Sequence, residues 1–253
     1  MLSHRSRGAK PVVRIPRVYI DTPLAIGREV NLGSRAHHHL VQVLRLRTGA
    51  GVTLFNGRGG EFAATLNQVT RKDCTATMNA FLNANREPSL DIELWQGIAK
   101  GTRMDYVLQK AVELGVRCIQ PLMTHYGVTG QTDWRHKMAH WQGVIISACE
   151  QSGRTQIPEL KPPQALSACP LISENRLGLV LDPHAIQGLR SIKQTPRRLV
   201  LLVGPEGGLS NEELQYAQDM RFEWVRIGPR ILRTETAGLA ALAAAQLLWG
   251  DLH

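Results

Sequence analysis

One segment near the carboxyl end constrains the fold of this chain more than any other. It reads Leu199-Val-Leu-Leu-Val-Gly-Pro-Glu-Gly-Gly-Leu-Ser-Asn-Glu-Glu213. The five apolar residues are typical of a fully buried parallel strand, and the glycines and proline after them stop either regular structure. Ser210 and Glu213 have the spacing of a capping box, which predicts that a helix begins there. Open α/β sheets bind ligands at such loops, so the segment predicts a ligand site.

The loop does not match the common phosphate-binding motifs. Its glycine spacing is neither that of a dinucleotide fingerprint nor that of a P-loop, and no Lys-Ser/Thr pair follows. Its one charge is Glu206, which would repel a phosphate but tolerate a cationic or uncharged ligand. These features disfavour nucleoside phosphates. A tight turn without a ligand is the simpler alternative for this segment alone.

Strands and helices alternate after residue 89, which predicts a mostly parallel sheet covered on both faces. The predicted strands are Ile92–Ile98, Cys118–Leu122, Gly178–Leu181, Leu199–Val203 and Trp224–Ile227. The predicted helices are Met104–Leu114, Trp134–Glu150, Asn211–Asp219 and about Thr236–Trp249.

The first third has another pattern, with short strands, tight turns and one helix over His37–Leu46. The strands are predicted at Val18–Ile20, Val52–Phe55, Phe62–Leu66 and Cys74–Phe81, and Asn56-Gly57 favours a hairpin. This pattern predicts a small β-barrel with one helix, followed by a polar linker over Asn83–Ser89. We therefore divide the chain into a flexible basic arm (1–17), a β-barrel domain (18–85) and an α/β domain (86–253).

Positive charge is concentrated in the first third. Residues 1–85 hold 12 Lys and Arg against 4 Asp and Glu, whereas residues 86–253 hold 18 against 17. The asymmetry predicts that the amino-terminal part binds a polyanion, although a solvated basic surface without a partner would look the same.

Several classes of protein are disfavoured. The four cysteines lack a zinc spacing and are expected to be free thiols in a reducing cytoplasm. Consecutive residues His37, His38 and His39 cannot all face one ion on a helix, so we expect no metal. No segment has the roughly 18 continuous apolar residues of a membrane helix, so we expect no membrane association.

A second loop has the same character as the first. After the strand at Trp224 come Gly228-Pro-Arg-Ile-Leu-Arg-Thr-Glu-Thr236 and an alanine-rich helix, which Thr234 or Thr236 can cap. Two Gly-Pro strand ends in one sheet predict two walls of one pocket, with Arg226, Arg230 and Arg233 beside it. Two weaker polar clusters are Lys100–Asp105 and Glu150–Arg154, where Gly153 is the expected helix C-cap.

Taken together, these clusters resemble the RsmE family of 16S ribosomal RNA uracil N3-methyltransferases in the SPOUT superfamily. The resemblance runs almost end to end. It is carried by Ile15-Pro-Arg17, Gln109-Lys-Ala-Val-Glu-Leu-Gly115, Ala148-Cys-Glu-Gln-Ser-Gly-Arg154, Leu202-Val-Gly-Pro-Glu-Gly-Gly-Leu-Ser210 and Leu232-Arg-Thr-Glu-Thr236.

The resemblance implies a PUA-like barrel, then a SPOUT domain with a parallel sheet and a deep trefoil knot, in a homodimer. It also implies S-adenosylmethionine as cofactor and the 16S rRNA of the small ribosomal subunit as partner. The cofactor-binding residues implied by the motif match are Leu202, Gly204, Pro205, Glu206, Gly207, Ile227, Gly228, Leu232, Arg233 and Thr234.

Methylation of uracil N3 requires that the N3 proton leave. We expect Arg233 to stabilise the resulting negative charge and Glu235 to accept the proton, unless Glu235 only hydrogen-bonds the first turn of its helix. The expected RNA-binding residues are Arg14, Arg17, Arg45, Arg103 and Arg154.

One loop departs from the family pattern. The family usually has an acidic residue, a basic one and then a further basic residue after Pro121-Leu122, where this chain has Met123-Thr-His-Tyr-Gly-Val-Thr129, so we assign no RNA or partner contact to this loop from the resemblance. Three other functions stay open besides uracil N3-methylation. They are a non-catalytic RNA-binding ribosome assembly factor, a SPOUT methyltransferase for another RNA nucleotide, and a nucleotide-dependent enzyme.

Overall fold

The computed structural model describes residues 15–127 and 132–252. The chain divides into two compact units, Met1–Ala84 and Asn85–His253. Most of the predicted basic arm, including Arg14, lies outside the described residues, as do the last residues of the Met123–Thr129 loop.

The first unit is a five-stranded sheet with a short helical segment. The elements are β1 (Arg17–Tyr19), β2 (Glu29–Asn31), α1 (Gly33–His37), β3 (Gly51–Phe55), β4 (Glu61–Val69) and β5 (Cys74–Leu82). The sheet order is β1-β3-β4-β5-β2, with β1 parallel to β3 and the other pairs antiparallel. The interior contains Leu40, Leu54 and Leu66, all fully buried.

The hairpin predicted at Asn56-Gly57 is confirmed, because β3 and β4 pair across that loop and Gly57 has a φ of 78°. The helical segment predicted over His37–Leu46 is confirmed as far as Val43, but it is not a regular α-helix. Helix α1 ends at His37, and His38–Val43 form a π-helix, a rare form associated with functional sites. Strand β2 was not foreseen, because three residues are too few to show a period.

The second unit is the predicted α/β domain. The strands are β6 (Asp91–Gly97), β7 (Cys118–Met123), β8 (Glu159–Leu160), β9 (Gln164–Ala165), β10 (Leu177–Leu181), β11 (Arg198–Val203) and β12 (Glu223–Val225). The helices are α2 (Arg103–Glu113), α3 (Trp134–Ser152), α4 (Asn211–Asp219) and α5 (Thr234–Trp249). The sheet has the order β12-β10-β11-β6-β7-β8, and β9 also pairs with β7; each of these pairs is parallel. The trefoil knot implied by the resemblance stays a prediction.

The helix ends confirm two local predictions and correct a third. Ser210 and Glu213 form the predicted capping box of α4, and Gly153 ends α3 in the left-handed conformation. The expected cap of α5 by Thr234 or Thr236 is wrong. Arg233 occupies the N-cap position and its side chain makes no capping hydrogen bond.

The histidines and cysteines behave as ordinary fold residues. His37 is buried against the carbonyl oxygen of Thr70, while His38 bonds Gln42, so the consecutive rings diverge. All four cysteines are free and buried. Within the described residues no group of His, Cys, Asp and Glu could hold a metal ion, and none of the helices there has the length and apolar character of a membrane span.

A buried carboxylate ties the middle of the sheet to its flanking segments. Glu93 on β6 accepts hydrogen bonds from Lys161 Nζ at 2.6 Å, Arg176 at 2.9 Å and the indole of Trp95 at 2.8 Å. Burial alone would raise the pKa of the Glu93 carboxyl. The hydrogen bonds from Lys161 and Trp95 and the two nearby cations outweigh it, so the pKa lies below its usual range.

We expect Glu93→Gln to lower the free energy of unfolding at neutral pH by about 3 kcal/mol, because two cations lose their buried partner. A carboxyl with a depressed folded-state pKa stabilises the fold above its unfolded pKa of about 4.3, and this contribution is lost as pH falls through the folded value. Urea unfolding of both proteins should therefore show a difference that shrinks below about pH 4. Asp91→Asn is the control, because its ion pair with Arg117 is more exposed. An equal loss in both variants would contradict the assignment.

Candidate functional site

A cavity of about 760 Å³ opens at the carboxyl ends of the parallel strands. Its walls are the loops that follow β10, β11 and β12, together with the first residues of α2 and α5. The volume is in the range of small-molecule binding sites, and the position is the one at which open α/β sheets bind ligands. The loop singled out by the sequence is thus one wall of a cavity and not a simple turn.

The two Gly-Pro loops face each other across an intervening strand. β10 lies between β11 and β12, and its own end supplies a third wall of Asp182, Pro183 and His184. This wall was not foreseen from the sequence. The sequence does contain one signal for it, because a proline follows β10 at Pro183 as one follows β11 and β12. That β10 lies between those two strands depends on tertiary structure and cannot be read from the sequence.

The loop after β11 lies directly on the end of β6. A Cβ atom on Gly97 would lie 2.5 Å from the backbone nitrogen of Pro205 and 2.9 Å from the carbonyl carbon of Gly204. Only glycine allows backbone to approach this closely. Gly97 therefore sets the position of the Gly-Pro turn, although it touches the cavity only through that turn.

A buried hydrogen-bond chain joins three elements beneath the cavity. The Thr234 hydroxyl at the start of α5 donates to the carbonyl oxygen of Gly204, and it accepts a hydrogen bond of 2.9 Å from the side chain of Gln96 on β6. Gln96 is fully buried and Thr234 nearly so. Because a buried hydroxyl with both functions satisfied is costly to disrupt, this chain fixes the two Gly-Pro loops relative to β6.

One cation lies between two carboxylates at the cavity wall. Arg103, the first residue of α2, donates to Glu206 at 2.6 Å and lies 3.9 Å from Glu235. Glu206 also accepts a hydrogen bond from the backbone N–H of Lys100 at 3.2 Å. Burial would raise the pKa of Glu206, but hydrogen bonds from its own backbone N–H, from Arg103 and from Lys100 hold it below the usual range. Glu206 is therefore an anion at neutral pH.

This ion pair corrects the electrostatic interpretation of the loop taken alone. Arg103 compensates the charge of Glu206, and Arg230 and Arg233 also line the cavity. The cavity is thus not a simple anionic pocket, and Glu206 by itself does not exclude a phosphate. One oxygen of Glu235, at the start of α5, is buried without a hydrogen-bond partner among the described residues.

Most of the residues predicted to bind the cofactor line this cavity. They are Gly204, Pro205, Glu206, Gly207, Ile227, Gly228, Leu232, Arg233 and Thr234, and Glu235 joins them. Leu202 does not line it: its side chain is fully buried in the core with Trp95 and Val180.

The predicted RNA-binding arginines are dispersed. Arg17 is paired with Glu61 at 2.9 Å and lies over the ring of Phe55, so its guanidinium is part of the packing of the first unit. Arg45 is exposed and follows the π-helix with a φ of 55°, a conformation that only a few per cent of non-glycine residues adopt. Arg103 belongs to the cavity wall.

Arg154 has a structural role. It is 4% exposed, and its guanidinium donates to the carboxylate of Glu87 and to the carbonyl oxygens of Val112 and Val116. These bonds tie the segment that precedes β6 to the turn between α2 and β7. They occupy the donors that an RNA contact would need, which corrects the sequence-based interpretation of this residue.

Comparison with protein families gives two matches in the expected order. Residues 85–246 match the RNA methyltransferase domain, and residues 35–78 match the RNA methyltransferase PUA domain.

Individual relatives agree over nearly the whole chain. The ribosomal RNA small subunit methyltransferase E of Buchnera aphidicola from Schizaphis graminum is 34% identical over 94% of this chain and 98% of its own. The Neisseria gonorrhoeae enzyme of that name, solved with S-adenosyl methionine, is 37% identical with a TM-score of 0.88 over 95% of this chain and 100% of its own. A Legionella pneumophila protein solved with the same cofactor is 40% identical with a TM-score of 0.91 over the same shares.

We expect Gly97→Ala to destabilise the second unit, because the new methyl group would collide with backbone atoms that cannot rotate away. Overpacking of this kind costs about 1 to 3 kcal/mol, measurable as a lower midpoint in urea. Gly143→Ala is the matched control, since it lies inside α3 and its new methyl group would have no neighbour within 4 Å. That substitution should be neutral or stabilising. Equal midpoints for the two variants would show that the turn yields freely.

Proposed function

Because this chain belongs to the RNA methyltransferase family that includes the ribosomal RNA small subunit methyltransferases E, we propose that it methylates small-subunit ribosomal RNA with S-adenosylmethionine as the methyl donor. The observation that carries the proposal is the cavity between the loops after β10, β11 and β12. Nine of the ten residues predicted to bind the cofactor line this cavity.

The residues present fit that cofactor. Gly204, Gly207 and Gly228 leave backbone groups accessible, and Ile227 and Leu232 supply apolar surface for an adenosyl group. Glu206 and Glu235 offer carboxylates to a ligand that carries an ammonium and a sulfonium, while Arg103 can pair with its carboxylate. When bound, the cofactor supplies a methyl group activated on sulfur.

The target atom that we propose, uracil N3, defines two tasks for side chains. N3 carries a proton, so a base must accept it, and negative charge then spreads onto the neighbouring carbonyl oxygens. Glu235 lines the cavity, and one of its carboxylate oxygens has no partner in the part of the chain that the structure describes, so it is our candidate acceptor. Arg233 is exposed at the N-cap of α5 and is our candidate donor to the developing charge.

The first unit supplies the affinity for the RNA backbone in this proposal. It matches a PUA domain of RNA methyltransferases and carries most of the net positive charge of the chain. Exposed cations such as Arg45 and Arg47 suit a phosphate backbone, with affinity that falls as salt rises. This division assigns RNA binding to residues 18–85 and methyl transfer to residues 86–253.

Two further properties belong to the proposal. A homodimer follows from the resemblance to the SPOUT superfamily, and a location in the cytoplasm follows from the ribosomal substrate. Sedimentation of the purified protein tests the first, and fractionation together with small subunits tests the second.

The alternatives make different demands on the cavity. A non-catalytic assembly factor would need the basic unit but no glycine-lined cavity, so stoichiometric binding of S-adenosylmethionine in calorimetry separates the two. A methyltransferase for another nucleotide would keep the cavity and modify a different base. Mass spectrometry of rRNA from a deletion strain identifies the base, and loss of a modification other than N3-methyluridine would contradict our assignment.

We expect Glu235→Gln to slow single-turnover methylation of small subunits about 100- to 10,000-fold, because general bases contribute a factor of that size. Arg233→Ala should also slow the reaction, since it removes a donor to the developing charge. Because both side chains also line the cofactor cavity, the rates are compared at saturating cofactor, with the affinity of each variant measured by calorimetry.

Arg117→Gln is the control for this pair of variants. It breaks an ion pair with Asp91 at the amino end of β6, opposite the cavity, and should leave the rate unchanged. Wild-type rates in Glu235→Gln would place the proton acceptor elsewhere.

A further inference from the structure

The loop after β7 begins with a tight turn that has two aromatic residues at its tip. The N–H of Gly127 donates to the carbonyl oxygen of Thr124 at 3.0 Å, which closes a turn over residues 124–127. His125 and Tyr126 are the two central residues of that turn. Neither has a place in the reaction derived above.

The turn is fixed to the loop that walls the cavity. The backbone N–H of His125 donates to one carboxylate oxygen of Glu213 at 2.9 Å, while the other oxygen accepts the N–H of Ser210 at 2.8 Å. Gly207 lies against Tyr126, because a Cβ atom there would be 2.6 Å from the Tyr126 Cβ. The turn and the cavity wall therefore hold one another in position.

Tyr126 nevertheless remains open to solvent. Its side chain is 52% exposed, and the ring of His125 meets it nearly perpendicularly, with the centroids 4.7 Å apart. A large exposed ring on a rigid support gives up little conformational entropy when it binds a flat partner. Beside the cavity of an RNA methyltransferase, the flat partner available is a nucleobase.

We propose that Tyr126, supported by His125, is a stacking platform for a base of the RNA substrate at or next to the methylated nucleotide. This inference rests on the proposed function and deepens it, because it names a contact that positions the substrate. RNA is read in this way when unpaired bases stack on aromatic side chains. The platform holds RNA and takes no part in the proton or methyl transfer.

The test compares Tyr126→Ala, Tyr126→Phe and Tyr106→Ala in steady-state methylation of small subunits. Loss of one base stack weakens binding about 5- to 150-fold, so Tyr126→Ala should raise the KM for the subunit by that factor without changing kcat. Cofactor affinity should not change. The salt dependence of RNA binding should also keep its slope, because no phosphate contact is lost.

The other two variants are matched controls. Tyr126→Phe keeps the ring and should stay within about twofold of wild type. Tyr106 lies on α2, is 49% exposed and is not among the residues that line the cavity, so Tyr106→Ala removes a comparable ring and should have no effect.

Each contrary outcome overturns the proposal in a recognisable way. An unchanged KM in Tyr126→Ala excludes the platform. A raised KM that comes with weaker cofactor binding, with a changed sedimentation coefficient, or with an equal effect in Tyr106→Ala assigns the ring a structural or subunit-contact role instead. A wild-type protein that binds the cofactor but methylates no subunit contradicts the proposed function itself, and the platform falls with it.

Discussion

The hydroxyl of Thr234 is the contact on which the cavity depends. It donates to the Gly204 carbonyl oxygen and accepts from Gln96, and so it links the first residue of α5, the loop after β11 and the strand β6. A buried hydroxyl and a buried amide each need partners, since an unpaired one costs about 1 to 3 kcal/mol. Threonine at this position therefore serves the assembly of the site more than the capping of its own helix. The close contact of Gly97 with Pro205 also fixes the position of this loop.

Electrostatics refine this framework. Arg103 reaches from α2 to Glu206 on one loop and towards Glu235 on α5, so three chain segments meet in one charge cluster. The lowered pKa of Glu206 follows from that arrangement, in which hydrogen bonds outweigh burial. A pocket with alternating charges suits a zwitterionic, sulfonium-bearing ligand better than a pocket of one sign. The sequence alone suggested a lone carboxylate because Arg103 and Glu206 are far apart along the chain.

Local structure can be predicted from this sequence, but contacts between residues far apart along the chain cannot. The buried strand, the glycine loop and the Ser210 capping box were each readable because propensity, spacing and turn residues agree within fifteen positions. The sequence does not specify the order of the strands in the sheet. It therefore does not reveal that the cavity wall at Asp182-Pro183 lies between the two Gly-Pro loops. Arg154 shows the same limit: a polar cluster after a helix looked like a ligand site, but its partner Glu87 lies in the segment before β6. The π-helix after His37 is likewise not evident from the sequence, because the spacing of Leu40, Val43 and Leu44 is also that of an ordinary helix.

Glu213 shows how one side chain can serve both fold and site. Its carboxylate completes the capping box of α4 and also holds the turn that carries His125 and Tyr126. The start of α4 and the aromatic turn are consequently held together, because a displacement of either would leave a charged acceptor or a backbone donor unpaired. A base stacked on that turn would keep its position relative to the methyl-donor cavity. Methyl transfer depends on such alignment, since holding reacting groups in place supplies much of the rate of a displacement that needs no covalent intermediate.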